Sequence, residues 1–379
     1  MTGLPGSPRV LHVHGSMAAG NPLAERCARV IESFGGRMRH SIASGDGNWS
    51  ALAAVSKGVP VERLATFPSL AGAPLPGRLQ KLAQAMTDYH LVLSYGREGI
   101  AAALAHTLFS QVYKLPPLIH HEDGSDETAR ERRGWRSTWY RRIGLGKAAG
   151  LVVPTELMEG EALVRWQQPF GRVKTIRDGV PIDQRKGGPP AIPRLVKRAG
   201  EHWIGIAARF DGGEDLVAWL GALGDIDPSW HLVLVGDGPQ RAAIEADARD
   251  RALANRVHIV TRFADPASLA AHCDIVGLAG GPEPTPRSAL LAMAAGKPVA
   301  GFETGELAAA LAEANAPFVA MPGDGAGLVA ALRQLTDDAL LRRRIGEANR
   351  ERAASEHSEK AMIAAYRRLY ASALGRETI

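Results

Sequence analysis

The stretch 280–299 concentrates residue types able to hold an anionic ligand. Thr285 fits a helix N-cap with Pro286 at the first helical position. The apolar run to Ala295 predicts a buried helix, Gly296 ends it and Pro298 forbids its continuation. A helix that starts just past a buried strand aims its unpaired N–H groups and positive dipole end beyond the strand's carboxyl edge, where a phosphate is stabilised. Glu283 adds a carboxylate to the loop and Arg287 a cation. These features define an anion site and leave the reaction open.

Two further clusters carry chemistry. His120, His121, Glu122 and Asp123 stand side by side, the densest titratable group in the N-terminal half. They allow a metal site, a general base or a hydroxyl-binding pocket. No cysteine joins them, and adjacent histidines on an extended chain point to opposite sides, which disfavours the metal. Between Thr128 and Lys147, Arg130, Arg132, Arg133, Arg136, Arg141 and Arg142 interleave with Trp135, Trp139 and Tyr140. Basic residues mixed with interfacial aromatics suit an amphipathic helix on anionic headgroups. A solvated charged face is the plainer reading, and nucleic acid would require a binding module that the sequence lacks.

The elements that must position these residues follow from periodicity. Apolar runs at 9–14, 91–95, 117–121, 150–154 and 172–176 end in glycine, proline, serine or acidic loops and alternate with helical patterns. The run 9–14, the turn at Gly15 and a helix over 21–33 with Leu23, Cys27, Val30 and Ile31 on one face form the first unit of a doubly wound sheet. Gly15 lets a ligand approach the backbone, although the G-x-G-x-x-G spacing is absent. Runs at 203–209, 231–235, 256–260, 274–278 and 298–302 repeat the pattern, with Gly236 opening the turn after the second of them.

At 379 residues the chain exceeds one ordinary core and fits two domains of roughly 150 to 200 residues each. The expected division is 1–183 and 200–357, with a Lys, Gly and Pro rich linker between them. A terminal segment 358–379 follows, its helix carrying Met362, Ala365, Leu369 and Ala373 at helical spacing. Lys and Arg exceed Asp and Glu by 45 to 40, which favours anionic ligands or an anionic membrane surface over nucleic acid. Cys27 and Cys273 fall in different predicted domains, so a reducing, cytoplasmic setting is expected. The start of the chain lacks the pattern of a signal peptide, and no run approaches the roughly 18 to 20 apolar residues that span a bilayer.

The segment 292–299, Ala-Met-Ala-Ala-Gly-Lys-Pro-Val, preceded by Glu283, resembles the donor-site signature of the retaining glycosyltransferases of family four. The Gly-Asp-Gly-Pro turn at 236–239 and the Asp-Gly-Val-Pro turn at 178–181 resemble the family's other landmarks. This resemblance implies a GT-B fold: two Rossmann-like doubly wound domains facing a central cleft, with the C-terminal helix crossing back to the first. It implies an enzyme that moves a sugar from a nucleotide-diphosphate sugar to a glycan or lipid-linked acceptor with retention, at the inner face of the cell membrane. No metal and no other cofactor is then required. Residue by residue, it implies that Glu283 and His121 contact the transferred sugar and that Arg209 neutralises the diphosphate. Gly15 and Gly236 would lie under the donor, Arg262 beside the base, and Thr285, Pro286 and Arg287 at the phosphate-facing helix start. Arg132, Arg133, Trp135, Arg136 and Trp139 would meet the acceptor or the membrane.

The chain departs from that pattern at three places. The second donor-site glutamate is Leu291, the lysine five residues after Arg209 is Glu214, and Pro284 stands where glycine is usual. A leucine cannot accept from a ribose, a loss of roughly 1.5 to 3 kcal/mol for a charge-assisted bond. The departures keep open a catalytically silent relative that binds a nucleotide sugar or a partner enzyme.

Overall fold

The structure, a computed structural model, describes residues 6–122, 134–182, 191–210, 214–261, 266–280 and 285–379, with the Glu214 side chain excepted. Two compact units divide the chain: Met1–Asp178 with Ala361–Ile379, and Gly179–Lys360.

The first unit is a seven-stranded, wholly parallel sheet in the order β3-β2-β1-β4-β5-β6-β7. Its strands are β1 (Arg9–His14), β2 (Arg39–Ser44), β3 (Val61–Arg63), β4 (Leu91–Tyr95), β5 (Leu118–His121), β6 (Gly150–Val153) and β7 (Val173–Thr175). Apolar side chains alternate to both faces because helices cover both, as a parallel sheet requires. The helix Pro22–Phe34 starts where Asn21 Oδ1 accepts the Ala24 N–H and Pro22 fixes the first turn. It buries Leu23, Cys27, Val30 and Ile31, the face its sequence predicts, together with Ala24, Arg26, Ala28 and Phe34.

The second unit is a six-stranded parallel sheet in the order β10-β9-β8-β11-β12-β13. Its strands are β8 (His202–Ala207), β9 (Trp230–Val235), β10 (Val257–Val260), β11 (Ile275–Leu278), β12 (Val299–Phe302) and β13 (Val319–Ala320). Strand order reverses beside β1 in the first sheet and beside β8 in the second. Open parallel sheets bind ligands beyond their carboxyl edge at such switch points.

The helix Glu359–Ala373 returns the chain to the first unit, where Met362, Ile363, Tyr366 and Tyr370 join one core cluster with Phe34 and Ile31. Of the expected stripe only Met362 is fully buried, and Leu369 packs at the margin. The part of the expected linker that is described, 191–200, is no free tether. Ile192 is buried and Leu195 packs beside it against Trp203 and Val233. An apolar residue in a polar run anchors the run to the sheet, and composition alone conceals this.

Candidate functional site

In the second unit the switch point brings together the loops after β8 and β11. Arg209 lies exposed just past β8. The glycine turn after β9 packs against this loop so closely that a Cβ at Gly236 would collide with the Ala208 carbonyl, and one at Gly238 would meet the Phe210 oxygen at 2.5 Å. Backbone bonds complete the clasp, with the Ala208 N–H on Val235 and the Phe210 N–H on Asp237. Only glycine admits this approach, and it fixes the backbone on both sides of Arg209.

Across the switch point, Trp219 Nε1 donates to the Leu278 carbonyl at 3.1 Å and anchors the end of β11. Gly280 follows with φ of 73°, and a Cβ there would strike the Asp215 carboxylate. Sequence reasoning missed Asp215, although an acid in the first turn of the helix after Arg209 is a readable signal. Glu283, Pro284 and Arg262 lie outside the described residues, as does the Glu214 side chain.

The helix after this loop spans Arg287–Ala294, one residue later than expected. Thr285 does not cap it, and Pro286 is the residue before the helix, not its first. The reason is torsional: Pro286 has ψ of 135°, an extended value, so helical geometry begins at Arg287. Arg287 donates from Nη1 to the Gly179 carbonyl at 2.9 Å and is half-buried, which ties it to the backbone of its own unit. Leu291 is buried in an apolar cluster with Val276, Leu278 and Leu290. Gly296, with φ of 68°, ends the helix as its sequence predicts. Beside the β10 edge, where the base was expected, a cavity of about 770 Å³ is lined by Arg194, Arg241, His258 and Thr261 among others.

In the first unit the corresponding segments are the loops after β1 and β2 and the first turn of the helix Gly96–Tyr113, which follows β4 directly. They enclose a cavity of about 350 Å³ lined by His14, Gly15, Ser16, Asn21, Asp46 and Glu98, with Leu23 and Tyr95. Gly15 is pressed against Glu98, whose Oε2 and Cβ would meet an added Cβ at 2.7 and 2.9 Å. Asp46 accepts from the Asn48 N–H at 2.9 Å and the Ser44 hydroxyl at 2.8 Å. Burial works against its ionisation, but these bonds and one from Ser16 prevail and hold it below the ordinary carboxylate range.

Beneath that edge lies a buried polar network. Tyr95 is stacked between the His14 and His121 rings, at 3.8 and 4.5 Å between centroids. His12 Nδ1 meets the Tyr95 hydroxyl at 3.0 Å and Cys27 Sγ at 3.3 Å, and its Nε2 meets His40 Nδ1 at 2.9 Å. Burial drives His14 down to about 3, His40 down to about 4 and the Cys27 thiol up to about 12, so each is neutral. His12, His14 and Cys27 offer ligand atoms within 4.8 Å of one another. Both His12 nitrogens and the thiol are already engaged in this network, which accounts for the cluster without an ion.

The expectation that His121 reaches a ligand is corrected here. Its side chain is buried, Nδ1 lies 3.3 Å from the Ser94 carbonyl and Nε2 lies 2.9 Å from the Tyr370 hydroxyl. The tyrosine comes from a helix 249 residues away, so local spacing could not reveal it. His120 is equally buried and joins Ser94 Oγ at 2.8 Å and Glu122 at 3.2 Å. Glu122 also accepts from Arg141 Nε at 2.7 Å, and both side chains are buried. Burial alone would raise the Glu122 pKa, but Arg141 and His120 pull it down to about 2. The acidic and basic residues that sequence treats as surface chemistry here form a structural pair.

Arg132 and Arg133 lie outside the described residues. The helix Trp135–Gly144 follows them and leaves Trp135 69% and Trp139 49% exposed. Arg136 lies over the Trp135 ring and Arg142 over Trp139, at 5.4 and 5.1 Å. Among the described residues no helix is long and apolar enough to cross a membrane.

Comparison with known proteins places this geometry. Residues 194–352 match the family model described as Glycosyl transferases group 1. The chain is 28% identical over 213 residues to the 2-deoxystreptamine glucosyltransferase of Streptomyces kanamyceticus, covering 53% of this chain and 54% of that protein. It is 32% identical over 141 residues to the lipopolysaccharide core biosynthesis glycosyltransferase LpsD of Rhizobium meliloti, covering 37% and 41%. The chain thus spans about half the length of the curated relatives it matches. Among solved structures, Anabaena HepE in complex with UDP aligns with a TM-score of 0.74 at 20% identity, covering 96% of this chain and all of that one. Sucrose-phosphate synthase from Thermosynechococcus elongatus aligns at 0.71 and 18%, covering 97% and 99%. At these identities the likeness is one of fold, the GT-B architecture of two Rossmann-like domains.

Proposed function

We propose, on the premise that residues 194–352 are a glycosyl transferases group 1 domain, that the protein moves a sugar from a nucleotide-diphosphate donor to a hydroxyl of a glycan or lipid-linked acceptor, with retention of configuration. The bond from the anomeric carbon to the diphosphate oxygen breaks, and the bond to the acceptor oxygen forms on the same face. The acceptor proton passes to the departing phosphate. No separate base is needed, so the enzyme's task is to stabilise the developing charge with preorganised cations and N–H donors. Arg209 and the start of the helix Arg287–Ala294 supply that stabilisation, Glu283 contacts the sugar, and no metal takes part. Arg262 flanks the base.

The observation that carries this reading is the glycine clasp at 236–238, which holds the backbone on either side of Arg209 at the sheet's switch point. The UDP complex of HepE and the glucosyltransferase relative lend support. The exposed Trp135 and Trp139, each with an arginine on its ring, support a peripheral contact with an anionic membrane that would present a lipid-linked acceptor. Titration calorimetry with UDP, GDP and ADP tests donor binding, followed by transfer assays across nucleotide sugars. One nucleotide is expected to bind, and Arg209→Ala to weaken it by about 1.5–3 kcal/mol, the range for a charged hydrogen bond. Failure of all three nucleotides to bind would sink the reading.

A second reading has its own observation. Leu291 is packed into an apolar cluster, so one of the family's donor contacts is replaced by core. A nucleotide-sugar-binding protein without transfer follows if Glu283→Ala leaves cellular glycan production intact; loss of the glycan in a folded variant rejects it.

A further inference from the structure

The cavity at the first sheet's switch point has a chemistry that the glycosyl-transfer reading does not explain. It opens beyond β1, β2 and β4, and its roughly 350 Å³ lies at the small end of the range of ligand sites, about 300 to 1,000 Å³. Two carboxylates line it, those of Asp46 and Glu98, and among the described residues that line it there is no Lys or Arg. Asp46 is fixed by the Asn48 N–H and the Ser44 hydroxyl. Glu98 is held over the turn by the missing side chain of Gly15, and among the described residues its carboxylate has no hydrogen-bond or ion-pair partner.

An independent observation marks this as a ligand site. His14 is 1% exposed, lines the cavity, and has an Nε2 with no hydrogen-bond partner. A buried polar nitrogen left without a partner is costly, and a ligand hydroxyl would satisfy it. Burial keeps this imidazole neutral, so it adds no positive charge to the wall.

We propose that this cavity seats an acceptor bearing a protonated amine, an amino-sugar or amino-polyol, with the ammonium between Asp46 and Glu98 and a hydroxyl on His14 Nε2. The inference rests on the glycosyl-transfer reading and names the acceptor class of that reaction. Two carboxylates repel a diphosphate and attract an ammonium, which donates three hydrogen bonds. A metal ion is the poorer occupant: His14, Asp46 and Glu98 do not converge as a three-ligand group within 4.8 Å, whereas an organic cation can span them. Ser16 and Asn21 add polar groups suited to further hydroxyls.

The test is titration calorimetry of the full-length protein with glucosamine, glucose and N-acetylglucosamine at mildly acidic pH. The amine of the first is then charged. Glucosamine is expected to bind on the order of tenfold more tightly than either neutral sugar, the difference one charge-assisted bond provides. Glu98→Gln should erase that preference, and since Glu98 is exposed and unbonded the fold is not at risk. Asp46→Asn should do the same, with circular dichroism reporting whether its loop survives. Equal affinities, no binding of any of the three, or a preference that survives both variants would overturn the inference. The nucleotide titrations are independent: nucleotide binding without amine preference removes this inference alone, and amine binding without any nucleotide removes the donor reading.

Discussion

The two units share a strand order about their switch points and fill the space beneath them differently. Under the first sheet's carboxyl edge lie His12, His14, His40, His121, Tyr95 and Cys27, all buried and bonded or stacked to one another. In the second, the carboxyl edge stands on apolar packing, with Trp219, Phe210 and Ile206 buried in one cluster. A network of hydrogen bonds gives one side its shape, and close backbone contacts at glycines give the other. A polar core is specified by partners that must all be present, so it responds to pH and to single-atom changes. A glycine clasp responds to volume.

Acid should separate the two most strongly. Burial depresses His14 to about 3 and His40 to about 4 in the folded state, against an ordinary value near 6.5 when unfolded. Below 6.5 the unfolded chain binds the extra protons. Stability is therefore complete above that pH and falls as pH drops toward the folded values, by roughly 1.4 kcal/mol per pH unit for each histidine. Urea unfolding at pH 7 and pH 5 should show the first unit losing several kcal/mol, about 4 at most from this pair. In the second unit His231 and His258 are only part-buried and lowered, so its loss should be smaller. Equal losses in both units would dissolve the contrast.

Of similar size, Glu122→Ala leaves the buried Arg141 without its carboxylate. A cost of about 3–5 kcal/mol is expected, read as a lower urea midpoint in the first unit. Tyr370→Phe removes a single oxygen and strands His121 Nε2, for about 1–3 kcal/mol by the same measurement. Smallest is Trp135→Ser with Trp139→Ser: both side chains are exposed, so stability should stay within about 0.5 kcal/mol while binding to anionic vesicles drops. Unchanged vesicle binding would remove the membrane role of that helix.

The strand, glycine turn and helix units were legible from sequence because apolar runs and glycines are local signals. Arg9–His14 with Gly15, and the turn at Gly236, stand where the pattern predicts. Arg209 was singled out by the family resemblance, and the structure places it exposed two residues past the end of β8. The fate of His121 was hidden, since the hydroxyl that takes its Nε2 arrives from the opposite end of the chain. The helix start at Arg287 was misjudged by one residue because Thr-Pro reads as cap and first turn, whereas the proline torsion decides the matter. Asp46 and Glu98 drew no notice, each lying in a loop or first turn whose neighbours only the sheet brings together.

The closing helix has a consequence for how the protein is made. Gly179–Lys360 is one continuous stretch and can collapse as it leaves the ribosome, while the earlier-made unit lacks Tyr366 and Tyr370 until translation reaches them. The earlier-made of these two units is thus the later completed, waiting with an open seam along Phe34 and His121. A stop codon before Ala361 would leave that seam as a greasy patch for chaperones and proteases, next to the Tyr95 ring that His121 stacks against.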